Sequence, residues 1–170
     1  IGNLANVIRA NLENASIDYI HLHLEIDFLK KYVEIEQVRF KDVLTVDFVN
    51  NVVDDNVMLP TMIVQPFVEN AIKHGIRSKK SGGHITIVFN ANNNALQVIV
   101  EDNGIGRERS GLLNKNRHKG KGISIVKERL SLLNTKTRTS LHQLRTIDLY
   151  HNGVPSGTRV EISLLLVKSS

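Results

Sequence analysis

A chain of 170 residues, 41% hydrophobic and 23% charged, has the balance of a soluble globular fold and the length for one core or a small domain with an appendage. It has no cysteine, which excludes disulfides and thiolate metal sites, and its apolar runs fall far short of a spanning helix. The formal net charge of +5 raises nucleic acid or a membrane surface as partners, yet only 5% of residues are aromatic and no basic aromatic array for stacking bases is visible.

The sequence starts with Ile1 and shows no signal-peptide pattern, so it reads as a piece of a longer protein. Leu4, Val7, Ile8 and Leu12 share one helical stripe, which predicts a helix from residue 4 to about 15, the tail of a longer one. Residues 14–19 read as a break. A second helix is expected over 22–40, where Phe28, Leu29, Tyr32, Val33 and Ile35 form a wide apolar face. Two successive helices suggest part of a bundle, and bundles often dimerise; an appendage packed on the main domain is the alternative. From Val43 the period changes to that of a strand ending near Asn50, followed by a turn at Asp54-Asp55-Asn56. Pro60 is expected to open a helical segment running to about Gly75, with Pro66 starting or kinking its main part. Alternation predicts strands over 84–90 and 96–101, joined by an Asn92-Asn93-Asn94 turn. Residues 103–121 are expected to form a mobile loop, 122–134 a helix, and 142–150 and 158–166 two final strands. This order predicts an α+β fold, a two-layer α/β sandwich with helices on one face of a mixed sheet, preceded by a helical hairpin segment.

Four short pieces carry chemistry in combination. Asn70 lies mid-helix, where Asn is a mediocre helix former; it is a plain surface Asn or an oxygen ligand for Mg²⁺. Lys73 and His74, three and four residues on, share its face and reach toward a phosphate. Asp102 closes an apolar strand before Gly104 and Gly106. It is either part of an ordinary Asp-Asn-Gly turn or the acceptor for an adenine amino group, which would repel the guanine carbonyl. Gly120-Lys121-Gly122 opens a helix whose free N–H groups suit a phosphate. Arg107, Arg109, Lys115, Arg117, Lys119 and Lys121 make the intervening stretch cationic, as a polyphosphate ligand requires, and Thr158 sits where a strand supports a base. Neither a Walker loop nor a dinucleotide-binding glycine motif is present. His21 and His23 have no third metal ligand nearby, and the other histidines form no catalytic constellation.

The segments PFVENAIKHG, EDNGIG, GKGISIVKERL and SGTRVEI resemble the asparagine and glycine boxes of the GHKL ATP-binding fold, shared by gyrase, the Hsp90 chaperones, MutL and histidine kinases. QPFVENAIKHGI preceded by EIDFLKKYVEIEQVRF looks specifically like the LytS-type sensor histidine kinases. The resemblance implies ATP and Mg²⁺ as cofactors, with Asn70 on the metal, Lys73 and His74 facing phosphates and Asp102 on adenine. It also implies that Gly104 and Gly106 make room for the base, that residues 107–121, with Arg107 and Lys121, form a lid hinged at Gly120 and Gly122, and that Thr158 backs the pocket. It further implies a helical segment over 1–40, the tail of a dimerisation and phosphotransfer region, and a catalytic domain over 41–170.

The expected activity is transfer of the ATP γ-phosphate to an upstream His and then to the Asp of a response regulator receiver domain. The expected setting is the cytoplasmic part of a membrane-anchored bacterial protein that forms a homodimer at full length and makes no direct contact with nucleic acid. The phosphoacceptor motif is absent, so this stretch is expected to bind ATP without carrying its own phosphorylation site. The hydrolysing relatives place an acidic base one turn before the metal Asn; here that position is Pro66, and Glu69 points about 100° away, so little hydrolysis is expected. The alternatives are a GHKL-type ATPase, or a non-enzymatic basic module with a degenerate nucleotide site.

Overall fold

The computed structural model describes residues 18–40, 43–77, 79, 81–113 and 121–169; the helix expected over 4–15 lies outside them. Among the described residues the first element is a short strand, β1 (Tyr19–His21), leading into α1 (Leu22–Phe40), which has the expected limits. β2 (Leu44–Asn50) follows, and then β3 (Val57–Pro60), where a helix start was expected. Pro60 ends that strand opposite Tyr19, because β3 pairs antiparallel with β1 on one side and with β8 (Val167–Lys168) on the other. Such pairing between distant segments leaves no local periodicity to read.

The main helix begins only at α2 (Gln65–Asn70), with Pro66 in its first turn, where a missing N–H costs nothing. It continues as a wider π-helical segment, Ala71–Ile76, in which Arg77 N–H donates to the Ile72 carbonyl five residues back. Gly75 was expected to stop the helix and instead lies inside it. β4 (Gly83–Ala91) and β5 (Ala95–Asp102) form the expected hairpin. The stretch expected as one mobile loop contains a helix, α3 (Gly106–Leu113), and α4 (Lys121–Thr137) begins at its far end. β6 (Gln143–His151) and β7 (Val154–Leu165) complete the chain's large sheet.

That sheet has the order β2-β4-β5-β7-β6, with β2 parallel to β4 and the other neighbours antiparallel. Side chains alternate across it, so Ile85, Ile87 and Phe89 of β4, Leu96, Val98 and Val100 of β5, and Ile162 and Leu164 of β7 point to one covered face. Against it pack Leu22, Ile26, Leu29 and Val33 of α1, Phe67, Val68, Ala71, Ile72 and Ile76 of the α2 helix, and Val126, Leu130 and Leu133 of α4. The result is the α+β sandwich of the sequence reading. α1 shares this core, at about 1.5–3 kcal/mol for each large aliphatic side chain removed from water.

One buried group makes the fold sensitive to acid. His142 is 3% exposed, and neither ring nitrogen has a hydrogen-bond partner. Its backbone is clamped instead, the Asn134 side chain donating to its carbonyl and accepting its N–H. Burial lowers the imidazole pKa, so the folded state holds it neutral. The unfolded chain protonates this group as pH falls through about 6.5, whereas the fold resists, so stability is lost below that pH. His142→Leu should therefore lose less thermal stability than the native chain between pH 7 and pH 5. An identical pH slope in both would show that the imidazole does not contribute.

Candidate nucleotide site

The inward row of β5 runs Leu96, Val98, Val100 and ends in Asp102, a carboxylate where the pattern otherwise places an aliphatic residue. Asp102 is 6% exposed. Its Oδ1 accepts the Gly104 N–H at 2.8 Å, and a second backbone bond comes from Thr158, its cross-strand neighbour on β7. Burial nevertheless dominates and pushes the carboxyl up to about 6; the two backbone donors pull the other way.

Asp102 forms part of the wall of a cavity of about 360 Å³. One side is the α2 helix, with Phe67, Asn70, Ala71, His74 and Gly75, a spacing that puts all five on one face. The sheet supplies Val100, Thr158 and Val160; α3 supplies Gly106, Arg107 and Ser110; α4 supplies Ile123 and Lys127. The mix of an apolar lining and a few convergent polar groups is that of a small-molecule site.

Glycines set the closeness of these walls. A Cβ on Gly75 would stand 2.6 Å from Asp102 Oδ1, and one on Gly157 would run into the Asp102 carbonyl. Gly104 presses on the backbone of Gly75 rather than opening onto the cavity, and Ile105 N–H donates to the Gly75 carbonyl. Gly106 adopts φ 75°, the left-handed turn from which α3 departs. Gly122, in the first turn of α4, lies 3.3 Å (from its notional Cβ) from Pro66, so the starts of α4 and α2 touch.

The structure thus brings Asn70, His74, Asp102, Gly106, Arg107 and Thr158 together around one cavity. Lys73 is not on its wall: its ammonium pairs with Glu69 at 2.7 Å on the outside of the helix. Glu69 also accepts from Gln65, and it too is away from the cavity. Arg107 lines the cavity while its guanidinium makes two 2.6 Å bonds to Asp148 of β6, and the Tyr150 hydroxyl donates to Glu108 beside it. Gly120 lies outside the described residues, as does the side chain of Lys121. Gly75, Gly157, Ser110 and Lys127 were absent from the expected set. For the two glycines the signal was available, since each flanks a motif residue; Ser110 and Lys127 are placed only by the packing of α3 and α4.

Asn70 lines the cavity and carries a neutral side-chain oxygen, and among the described residues no cluster of three His, Cys, Asp or Glu side chains is suited to a metal ion. A single neutral oxygen fits Mg²⁺ of the kind that is held mainly by phosphates and water.

The family described as histidine kinase-, DNA gyrase B- and HSP90-like ATPase matches residues 55–168, and a second family, histidine kinase, matches residues 1–44. The chain is 36% identical over 132 residues to the sensor protein LytS of Oceanobacillus iheyensis, covering 72% of this chain and 22% of that protein. It thus spans about a fifth of the length of the curated relatives it matches. Among solved structures, full-length ShkA in complex with AMPPNP is similar with a TM-score of 0.64 and 12% identity, over 95% of this chain and 34% of that one. The histidine kinase ThkA in complex with the response regulator TrrA is similar with a TM-score of 0.60 and 14% identity, over 96% and 47%.

Proposed function

We propose, from the fact that this chain belongs to the family of histidine kinase-, DNA gyrase B- and HSP90-like ATPases, that it is the ATP-binding catalytic part of a LytS-type sensor histidine kinase. Asp102 carries this reading: a buried carboxylate, fixed by two backbone donors, at the wall of a cavity of about 360 Å³ that mixes an apolar lining with a few polar groups. It would accept from the adenine amino group, with Thr158 behind it and Gly106 beside it. The triphosphate would extend toward Asn70, Arg107 and Lys127, which line the same cavity. Asn70 would hold Mg²⁺, which supplies charge neutralisation to the phosphates when bound. His74 lies on the same wall and is a further phosphate contact.

In the proposed reaction an imidazole nitrogen of a His outside the catalytic part attacks the γ-phosphorus. The N–P bond forms, the bond to the β,γ-bridging oxygen breaks, ADP leaves, and the imidazole proton is released. Phosphoryl transfer of this kind depends on positioning and charge, so the residues described need only bind and orient. The phosphoryl group would pass on to an Asp of a receiver domain; ThkA, similar in fold, is seen with a response regulator. ATP as the nucleotide is in keeping with the AMPPNP complex of ShkA. The helical segment over 1–40 and the catalytic domain over 41–170 would act in a homodimer of the full-length protein. Membrane anchoring would come from other segments; among the described residues no helix is long and apolar enough to cross a membrane.

Hydrolysis is disfavoured by the geometry. Pro66 occupies the turn before Asn70, and Glu69, the nearest acid on that helix, is engaged by Gln65 and Lys73 away from the cavity. Calorimetry should show Mg²⁺-dependent ATP binding in the native chain, a clear preference over GTP, and loss of the Mg²⁺ dependence in Asn70→Ala. The same sample should release phosphate from ATP only slowly. Equal binding of ATP and GTP would remove the adenine assignment, and rapid Mg²⁺-dependent hydrolysis would favour the ATPase branch of the family.

A further inference from the structure

The turn that launches α2 is held from three sides. Thr61 donates its N–H to the Asp18 carbonyl at 3.0 Å, and its own carbonyl accepts from Arg129 Nη1 of α4 at 2.5 Å. Val64 N–H is bonded by Glu25 of α1, which is 3% exposed. Between them Met62 adopts φ 56°, a left-handed conformation that residues with a side chain rarely take. Such a turn persists where its neighbours over-determine it. Arg129 is half-buried, and the charges of Asp18 and Glu25 and the Tyr19 phenol bear on it.

Each of the three anchors belongs to a different part of the chain. Asp18 is where the upstream segment joins β1. Glu25 is on the helix that fills the core. Arg129 is on α4, six residues after Ile123 and two after Lys127, both on the cavity wall. The turn itself delivers the chain to Pro66, which touches Gly122 of α4, and then to Phe67 and Asn70 on the opposite wall.

We propose that Arg129 is a positioning residue for the nucleotide site: by holding Thr61 it fixes the α2 wall, with Asn70, against the α4 wall, and ties both to the point where the upstream chain arrives. The proposal rests on the cavity being a site for Mg²⁺-ATP. The Asp102 end of the cavity hangs on β5 and β7 and meets the α2 helix only at Gly75, more than ten residues beyond the turn at Thr61. Loss of Arg129 should therefore disturb the phosphate end and spare the base end.

Hydrogen exchange of the ligand-free chain, native and Arg129→Ala, reads the joint directly. The amides of residues 61–70 should exchange roughly tenfold faster in the variant, with those of β5 and β7 unchanged. In calorimetry Mg²⁺-ATP should weaken roughly five- to tenfold, while adenosine stays within about twofold of native. Arg129→Lys, which keeps the charge without the planar fork, should fall between the two and serves if alanine prevents folding. Faster exchange spread evenly over the sheet, unchanged exchange at 61–70, or parallel weakening of Mg²⁺-ATP and adenosine would each overturn the positioning role. A native chain that binds neither ligand would instead overturn the nucleotide assignment, and the exchange pattern would then decide the role of Arg129 alone.

Discussion

Asp102→Asn is expected to lose more than about 100-fold in ATP affinity and, at the same time, to make the ligand-free fold more stable above pH 6. Asn has the shape of Asp, so one oxygen remains to accept the Gly104 N–H that now meets Oδ1 at 2.8 Å. The other oxygen becomes an NH₂. That donor would face the adenine amino donor at a buried position, and an unpaired buried donor costs about 1–3 kcal/mol beyond the lost charged hydrogen bond, itself about 1.5–3 kcal/mol. Their sum, about 2.5–6 kcal/mol, starts near and runs well beyond the roughly 2.7 kcal/mol that corresponds to about 100-fold.

The stability gain has the opposite origin. Burial raises the Asp102 carboxyl from an ordinary 3.8 to about 6. The fold therefore favours the protonated form: its contribution is fully present below about pH 4 and is lost as pH rises through 6. Ionising a carboxyl held this far above its ordinary range costs the fold roughly 3 kcal/mol at neutral pH, as an upper bound. The Asn variant carries no such cost and gives up only part of the Thr158 backbone bond, about 0.5–1.5 kcal/mol, so its thermal midpoint should exceed the native one at pH 8, and the gap should close or reverse by pH 4. A residue that weakens its own fold and improves binding is expected at a functional site. Melting curves at the two pH values with parallel calorimetry check both halves. An Asn variant that is less stable than native at pH 8, or that binds ATP as tightly, would contradict the assigned role.

What could be read in the sequence was whatever is written in local pattern. α1 has the limits its apolar face predicted, and β4 and β5 alternate strictly because one face of each is covered. β1, β3 and β8 were missed because each is short and exists only by pairing with the others, at separations of tens of residues. α3 was missed because its sequence, Gly-Arg-Glu-Arg-Ser-Gly-Leu-Leu, has no long apolar stripe; it is held by neighbours such as the Arg107–Asp148 and Glu108–Tyr150 contacts to β6. Gly75 misled for a related reason: its lack of a side chain reads as a helix stop, but here it admits the Asp102 carboxylate to the flank of a continuing helix. At the site, residues fixed by motif spacing, such as Asn70 and Thr158, reached the cavity. Lys73 did not, because an i, i+4 partner, Glu69, stands on the outer face and holds it there.

Gly104→Ala should be among the most damaging of the small substitutions around the site, and for steric reasons rather than backbone flexibility. An added Cβ would stand 2.3 Å from Gly75 Cα, 2.4 Å from its carbonyl carbon and 2.5 Å from its oxygen. All three are backbone atoms of the π-helical segment, Ala71–Ile76, whose flanks Ile72 and Ile76 are fully buried. The helix cannot yield locally, so it must move off β5 as a unit, breaking the Ile105-to-Gly75 hydrogen bond and opening the apolar contact beneath. Overpacking in a compliant core costs about 1–3 kcal/mol, so here about 3 kcal/mol or more is expected. In a chain of this length that lowers the thermal midpoint by roughly 6–12 °C. ATP affinity should fall with it, because Asp102 depends on the Gly104 N–H. Gly122→Ala is the control: its Cβ meets only Pro66, at 3.3 Å from Cβ, a contact relieved by a shift of a few tenths of an ångström, and alanine is a better helix former than glycine. That variant should melt within about 1 kcal/mol of native. If Gly104→Ala and Gly122→Ala prove equally mild in thermal melts, the close seating of α2 on the β5 turn is not what holds Asp102 in place.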